Sequence, residues 1–271
     1  MNSRAILAIV RKDLKVVSQN KGVSIPILMV PLILFVLLPW GIKLVPSLVG
    51  IAGISANDMD QIMGLINRLP LGEFAGYTSD QKIIVYFLVY MLAPLFFVVP
   101  LMVSSVIAAD SFAGEKERKT MEALLYTPTT DRELFVAKLL SGWLAALAVA
   151  LAGFVLYVIN VNAVGWSELH RIFFPNTMWM VMILWVVPAL PGLALGVMVL
   201  VSSRAQGFQD ANQLGGLVVL PVVFLLVGQI SGAMYLSVTF VLLMGLVIWL
   251  LAGLLIYLGS RSFRRSRLLG A

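Results

Sequence analysis

The sequence predicts an all-α integral membrane protein of about six membrane-spanning helices. Three observations carry this. The 271 residues are 61% hydrophobic and 12% charged, against roughly 45–50% apolar and about 25% charged in soluble domains. The apolar residues gather in uncharged runs at 25–42, 83–109, 139–167, 172–203 and 211–260, and about 18 such residues suffice to cross a bilayer as a helix. Nothing alternates as a barrel strand would, so helices satisfy the backbone in lipid.

Taken in order, residues 1–23 come first. Leu7, Val10, Leu14 and Val17 recur at heptad-like spacing, with Arg4, Arg11, Lys12 and Lys15 mostly off that face. This predicts a basic amphipathic helix on the inner membrane surface; a plain topological signal is the other reading. The spans follow at 24–44, 83–109, 139–159, 177–201, 214–230 and 235–258. The first is too long for a signal-peptide core and lacks a small-residue cleavage site. The last uncharged run is about twice the ~20 residues a span needs, and Gly228, Ser231 and Gly232 supply its break. In the external loop, 45–82, Met59, Ile62, Met63 and Ile66 predict a second amphipathic helix, capped by Asn57 or Asp58 and read as a lid over lipid-level surface. A basic tail occupies 259–271. Fifteen of the nineteen Lys and Arg residues fall on one face of this arrangement, which makes both termini cytoplasmic by the positive-inside rule. The chain, 1–271, reads as a single transmembrane domain.

Several chemistries are excluded. There is no cysteine, hence no disulfide framework or thiolate metal site. The net charge of +6 follows from topology and does not call for nucleic acid. No G-x-x-x-x-G-K-[ST] pattern exists to cradle ATP phosphates, so no nucleotide, cofactor or metal is expected on this chain and it is not expected to be an enzyme. The lone His170, beside Arg171, reads as a satisfied surface residue. Ser104 and Ser105 read as bonding back to their own helix. Apart from Lys43 at the outer end of the first, the spans as drawn hold no acid or base, the usual mark of an ion-coupled carrier, although backbone carbonyls at broken helices leave a Na⁺ route open. Pro26, Pro31 and Pro39 mark the first span. Pro94, Pro100, Pro188, Pro191 and Pro221 mark later ones and are candidate hinges. Kinks that merely aid packing explain them equally well.

The polar exception is residues 111–128, SFAGEKERKTMEALLYTP, within a cytoplasmic connection at 110–138. From Glu115 to Tyr126 the residues favour a helix with Met121, Leu124 and Leu125 on one face. Glu115 and Glu117 suit its positive N-terminal end. Thr127-Pro128 stops it, and Thr130-x-x-Glu133 is a capping box for the next helix. A hairpin between spans needs only about 2–8 residues. The extra length and the apolar triplet with its charged rim favour a docking surface over a solvated connector.

The run Phe112-Ala113-Gly114-Glu115-Lys116-Glu117-Arg118-Lys119-Thr120-Met121-Glu122-Ala123-Leu124-Leu125, followed by Thr127-Pro128, Arg132-Glu133-Leu134 and Lys138, resembles the hallmark loop of ABC-2-type transporter permeases. Lys119 replaces the usual glycine and Met121 the usual leucine. The resemblance extends to span number, spacing and orientation. It implies a permease half in a prokaryotic plasma membrane, pairing as a homodimer or with a similar subunit. It also implies two copies of a separate cytoplasmic ABC ATPase, which carry ATP and Mg. The loop would hold a coupling helix whose contacts to the ATPase are Glu115, Glu117, Arg118, Met121, Glu122, Leu124 and Leu125. Export, and a cargo path lined by the second and fifth spans at the dimer interface, are implied likewise; the apolar interior favours a lipophilic or amphipathic substrate. The short helices that family often places before the sixth span have little room in the brief break at Gln229-Ile230-Ser231-Gly232. Two rival classes stand beside this: an ion-coupled secondary transporter acting without an ATPase, and a non-transporting membrane scaffold.

Overall fold

A computed structural model describes residues 3–43, 63, 64, 66, 76–118, 129–202, 205 and 207–262. Among the described residues, helix α1, Ser3–Gln19, precedes six helices long and apolar enough to cross a membrane: α2 Lys21–Ile42, α3 Gln81–Glu117, α4 Asp131–Leu169, α5 Thr177–Ser202, α6 Phe208–Ile230 and α7 Val238–Arg261. No strand occurs among the described residues. Number and order match the sequence reading, but three spans are longer than expected: α3 continues past 109, α4 past 159, and α6 starts before 214. At ~1.5 Å per residue, the 37 residues of α3 and 39 of α4 exceed a ~30 Å hydrocarbon core, so both project beyond it. Of the external amphipathic helix only Met63, Gly64 and Ile66 are described. They are helical and Ile66 is buried; Met59 and Ile62 lie outside the described residues.

Local chemistry sets the ends. Thr130 Oγ1 accepts from the Glu133 N–H at 3.3 Å while the Thr130 N–H donates to Glu133 Oε2 at 3.0 Å, which is the expected capping box at the start of α4. A second box, Thr78 with Gln81, opens the helix that becomes α3. His170 ends α4 in the left-handed region, φ 47°, its Nδ1 2.9 Å from the Trp166 carbonyl; it is exposed and satisfied, as its sequence position suggests. Ser104 Oγ donates to the Pro100 carbonyl at 2.5 Å, the expected back-bond. Gly232, φ 71°, turns the chain between α6 and α7, and residues 231–237 form no helix.

The core of the bundle is aromatic. Phe35 of α2, Phe96 of α3, Phe154 and Tyr157 of α4, Phe174, and Trp179 of α5 stack or meet edge to face at centroid separations of 4.7–6.4 Å. Such contacts add about 0.5–1.5 kcal/mol each to area burial.

Widened π-helical turns, absent from the sequence reading, recur in a pattern. Ile33–Leu37, Tyr86–Met91 and Met182–Val186 each end two or three residues before a proline: Pro39, Pro94 and Pro188. A proline has no N–H and its ring crowds the carbonyl four residues back; slipping the preceding turn to i→i+5 bonding relieves the crowding. At Pro94 the consequences are explicit. Leu92 N–H reaches back to Phe87 O at 3.2 Å, passing over Leu88 O, and Pro94 offers nothing to Tyr90 O. Side chains of three other helices take up the carbonyls. Tyr157 Oη donates to Leu88 O at 2.5 Å, Trp179 Nε1 to Val89 O at 2.7 Å and Gln229 Nε2 to Tyr90 O at 3.1 Å. Pro94 is therefore a stitched kink. At Pro188, Trp143 Nε1 donates to its carbonyl at 2.8 Å, a similar tie.

Candidate functional site

The fourth π-helical turn, Ala109–Gly114, has no proline after it. It lies in the polar motif, and all six of its residues are buried. The turn carries α3 without interruption into Glu115–Glu117 and on to a bend at Arg118. This corrects one expectation. Glu115 and Glu117 do not begin a new helix; they close a long one, at the end where the helix dipole disfavours acids. Cations and a foreign helix start offset that.

Glu115, 6% exposed, is held from both sides. Its Oε1 receives Lys12 Nζ of α1 at 2.6 Å and its Oε2 receives Lys138 Nζ of α4 at 2.6 Å. Lys138 is 1% exposed; it also donates to the Ser111 carbonyl at 2.6 Å and lies 5.5 Å from the Phe112 ring centroid. On α1, Asp13 pairs with Lys12 at 2.9 Å and accepts from Ser141 Oγ at 3.2 Å. Two acids and two bases thus form a neutral, hydrogen-bonded chain through α1, α3 and α4. A buried charge is tolerable only with such partners. Burial alone pulls the Lys12 ammonium down, but its bonds to Glu115 and then Asp13 outweigh that, and its pKa stands above the usual 10.5.

The inward face of α1 differs from the expected one. Of the predicted apolar face, Val10 and Val17 are buried within the protein, joined by Ile9 and Asp13, while Leu14 is only partly buried and Leu7 is 50% exposed. This face meets Leu134 and Ala137 of α4, so α1 is bound to the bundle through side-chain packing.

Two further contacts fix the end of α3. Arg118 folds back onto Asp110, Nη1 to Oδ1 3.0 Å; a Cβ on Gly114 would come within 3.3 Å of both guanidinium nitrogens, so the motif's glycine leaves room for this return. Glu117 Oε2 accepts the Phe208 N–H at 2.9 Å, placing a carboxylate at the positive N-terminal end of α6. Gly207 permits it, since a Cβ there would stand 2.6 Å from that oxygen. A cleft of about 440 Å³ opens beside it, lined by Glu117, Gly207, Gln209, Asp210 and Gln213.

Of the seven residues assigned to docking, Glu115, Glu117 and Arg118 are thus brought together and bonded within the chain. Met121, Glu122, Leu124 and Leu125 lie outside the described residues. Lys12, Asp13, Lys138 and Ser141 were not singled out as a group. One clue was available: Asp13 shares the apolar stripe of α1 with Ile9, Val10 and Val17. No cluster of three or more metal-ligating side chains occurs among the described residues.

A family model described as ABC-2 family transporter protein matches residues 7–259. No curated protein and no solved structure matches the chain.

Proposed function

The chain belongs to the ABC-2 transporter family, and from that premise we propose that it is the permease half of an ATP-driven exporter, driven through residues 110–138 by a separate cytoplasmic ATPase. The observation that carries the reading is the Glu115 junction. It ties the last turn of α3 to α1 and α4, while Glu117 ties the same turn to α6. A push on the segment after Arg118 is then delivered to four helices at once. Glu115 acts as a positioning residue; Met121, Glu122, Leu124 and Leu125 supply the contact with the ATPase. ATP and Mg belong to that partner, present in two copies under a permease dimer. α3 and α6 are the spans the family resemblance assigns to the cargo path, and Glu117 joins them directly. The predominantly apolar bundle favours a lipophilic or amphipathic cargo.

Among the described residues the buried charges, Asp13, Asp110, Glu115, Glu133 and Lys138, cluster around the α3–α4 connection. An ion-coupled carrier would want them along the cargo path in mid-membrane. The test is co-purification of the permease with its ATPase, with Leu124 and Leu125 both replaced by Asp. Assembly and ATP-driven transport are both expected to fail, while the variant alone keeps its helical content. Transport at the wild-type rate would refute the docking assignment.

A further inference from the structure

Helix α1 has two faces, and only the inner one serves the junction. The outer face carries Leu7, Arg11 and Lys15 at intervals of four residues, all exposed, with Val16 at their flank and Arg4 one turn earlier. No acid shares it: Asp13, the only acidic residue of α1, points inward at 3% exposure. Neither Arg11 nor Lys15 is paired with an acid among the described residues.

The depth of this face is fixed at two points. Asp13 is bonded to Ser141 at 3.2 Å, and Ser141 lies at the start of the uncharged run by which α4 enters the hydrocarbon. At its other end, α1 is separated from α2 by the single residue Asn20. The helix therefore lies along the membrane boundary. Its outer face stands no further from that boundary than a helix diameter, ~10–12 Å, close to the ~8–10 Å over which a charged surface is felt in physiological salt.

We propose that the outer face of α1 binds anionic phospholipid headgroups, and that Lys12 and Glu115 transmit this occupancy to the end of α3. Arg11 and Lys15 meet the phosphates, the guanidinium in a bidentate manner, while Leu7 and Val16 enter the acyl boundary. Each base near an anionic surface raises lipid preference about fivefold. Lipid drawn to the outer face seats α1. Lys12, next to Arg11 in the chain, then holds Glu115 in place. The link to ATP-driven transport rests on the function proposed above; lipid binding itself does not.

The experiment needs no ATPase. The full chain is placed in nanodiscs of phosphatidylcholine, with or without one-third phosphatidylglycerol. Phosphatidylglycerol retained after transfer to neutral detergent is counted by native mass spectrometry, and amide hydrogen exchange is followed over residues 110–118. Phosphatidylglycerol should be retained and should slow that exchange several-fold. Arg11→Gln with Lys15→Gln should lower retention at least tenfold and remove the slowing; Leu7→Ser should weaken retention without altering charge. Glu115→Gln should keep the lipid but lose the slowing. Equal retention by the wild type and the double variant would overturn the proposal. Slowing that survives Glu115→Gln would overturn the transmission step.

Discussion

Helix α3 widens into a π-helical turn twice, at Tyr86–Met91 and at Ala109–Gly114, and the two turns are held in opposite ways. At the first, the widened turn before a proline is tied by neutral side chains of α4, α5 and α6, which donate to the Leu88, Val89 and Tyr90 carbonyls inside an aromatic core. At the second, no proline intervenes; the turn is held by ion pairs to α1 and α4, and by a carboxylate placed on the start of α6. Neutral bonds in an apolar site do not respond to solvent, whereas charge pairs at a membrane boundary can be competed for by lipid, partner or pH. One end of α3 is thus an anchor and the other a joint.

Substitutions should separate the two, beginning with the largest effect. Trp179→Ala removes a ring at the centre of the aromatic cluster and the donor to Val89; it should cost about 3–5 kcal/mol, seen as a large drop in the thermal midpoint in detergent. Glu115→Gln leaves the Lys138 ammonium buried without its carboxylate, at about 3 kcal/mol. Adding Lys138→Met should restore more than half of this, because no charge is then stranded, and a double-mutant cycle on the same unfolding signal measures it. A double-variant loss equal to the sum of the Glu115→Gln and Lys138→Met losses would mean that the pair contributes no coupling. Tyr157→Phe deletes one hydrogen bond at the anchor and should cost about 1 kcal/mol. Gln229→Leu should cost less, since the Gln229 Oε1 atom is buried without a partner among the described residues.

The smallest effect is on pH dependence. Because the Lys12 pKa is raised in the folded protein above 10.5, its contribution is complete below that value and is lost as pH rises through the folded pKa. Lys12 should therefore add no slope to stability near neutrality, and Lys12→Met should remove only an alkaline loss. A Lys12-dependent slope near pH 7 would show that the pairing is misassigned.

Much of the fold was legible because its signals are local or periodic. Uncharged runs gave the spans, Thr130 and Glu133 gave the start of α4, and Gly232 marked the turn before α7. The joint was not legible. Glu115, Glu117 and Arg118 read as the charged rim of a docking surface, and nothing local shows that they are bonded within the chain. Lys138 and Lys12 stand 23 and 103 residues from Glu115, and no spacing rule links them. The prolines were legible as kinks but not as stitches, because the donors that reach Leu88, Val89 and Tyr90 come from α4, α5 and α6.

The central claim is that the Glu115 junction holds the segment through which ATP energy enters. It is tested most directly by ATP-driven transport in the reconstituted permease–ATPase complex bearing Glu115→Gln with Lys138→Met, a change that strands no charge. The account predicts that the permease remains folded while hydrolysis-coupled transport falls about tenfold, a loss of ~1.4 kcal/mol in coupling. Coupled transport at the wild-type rate in that variant would contradict it.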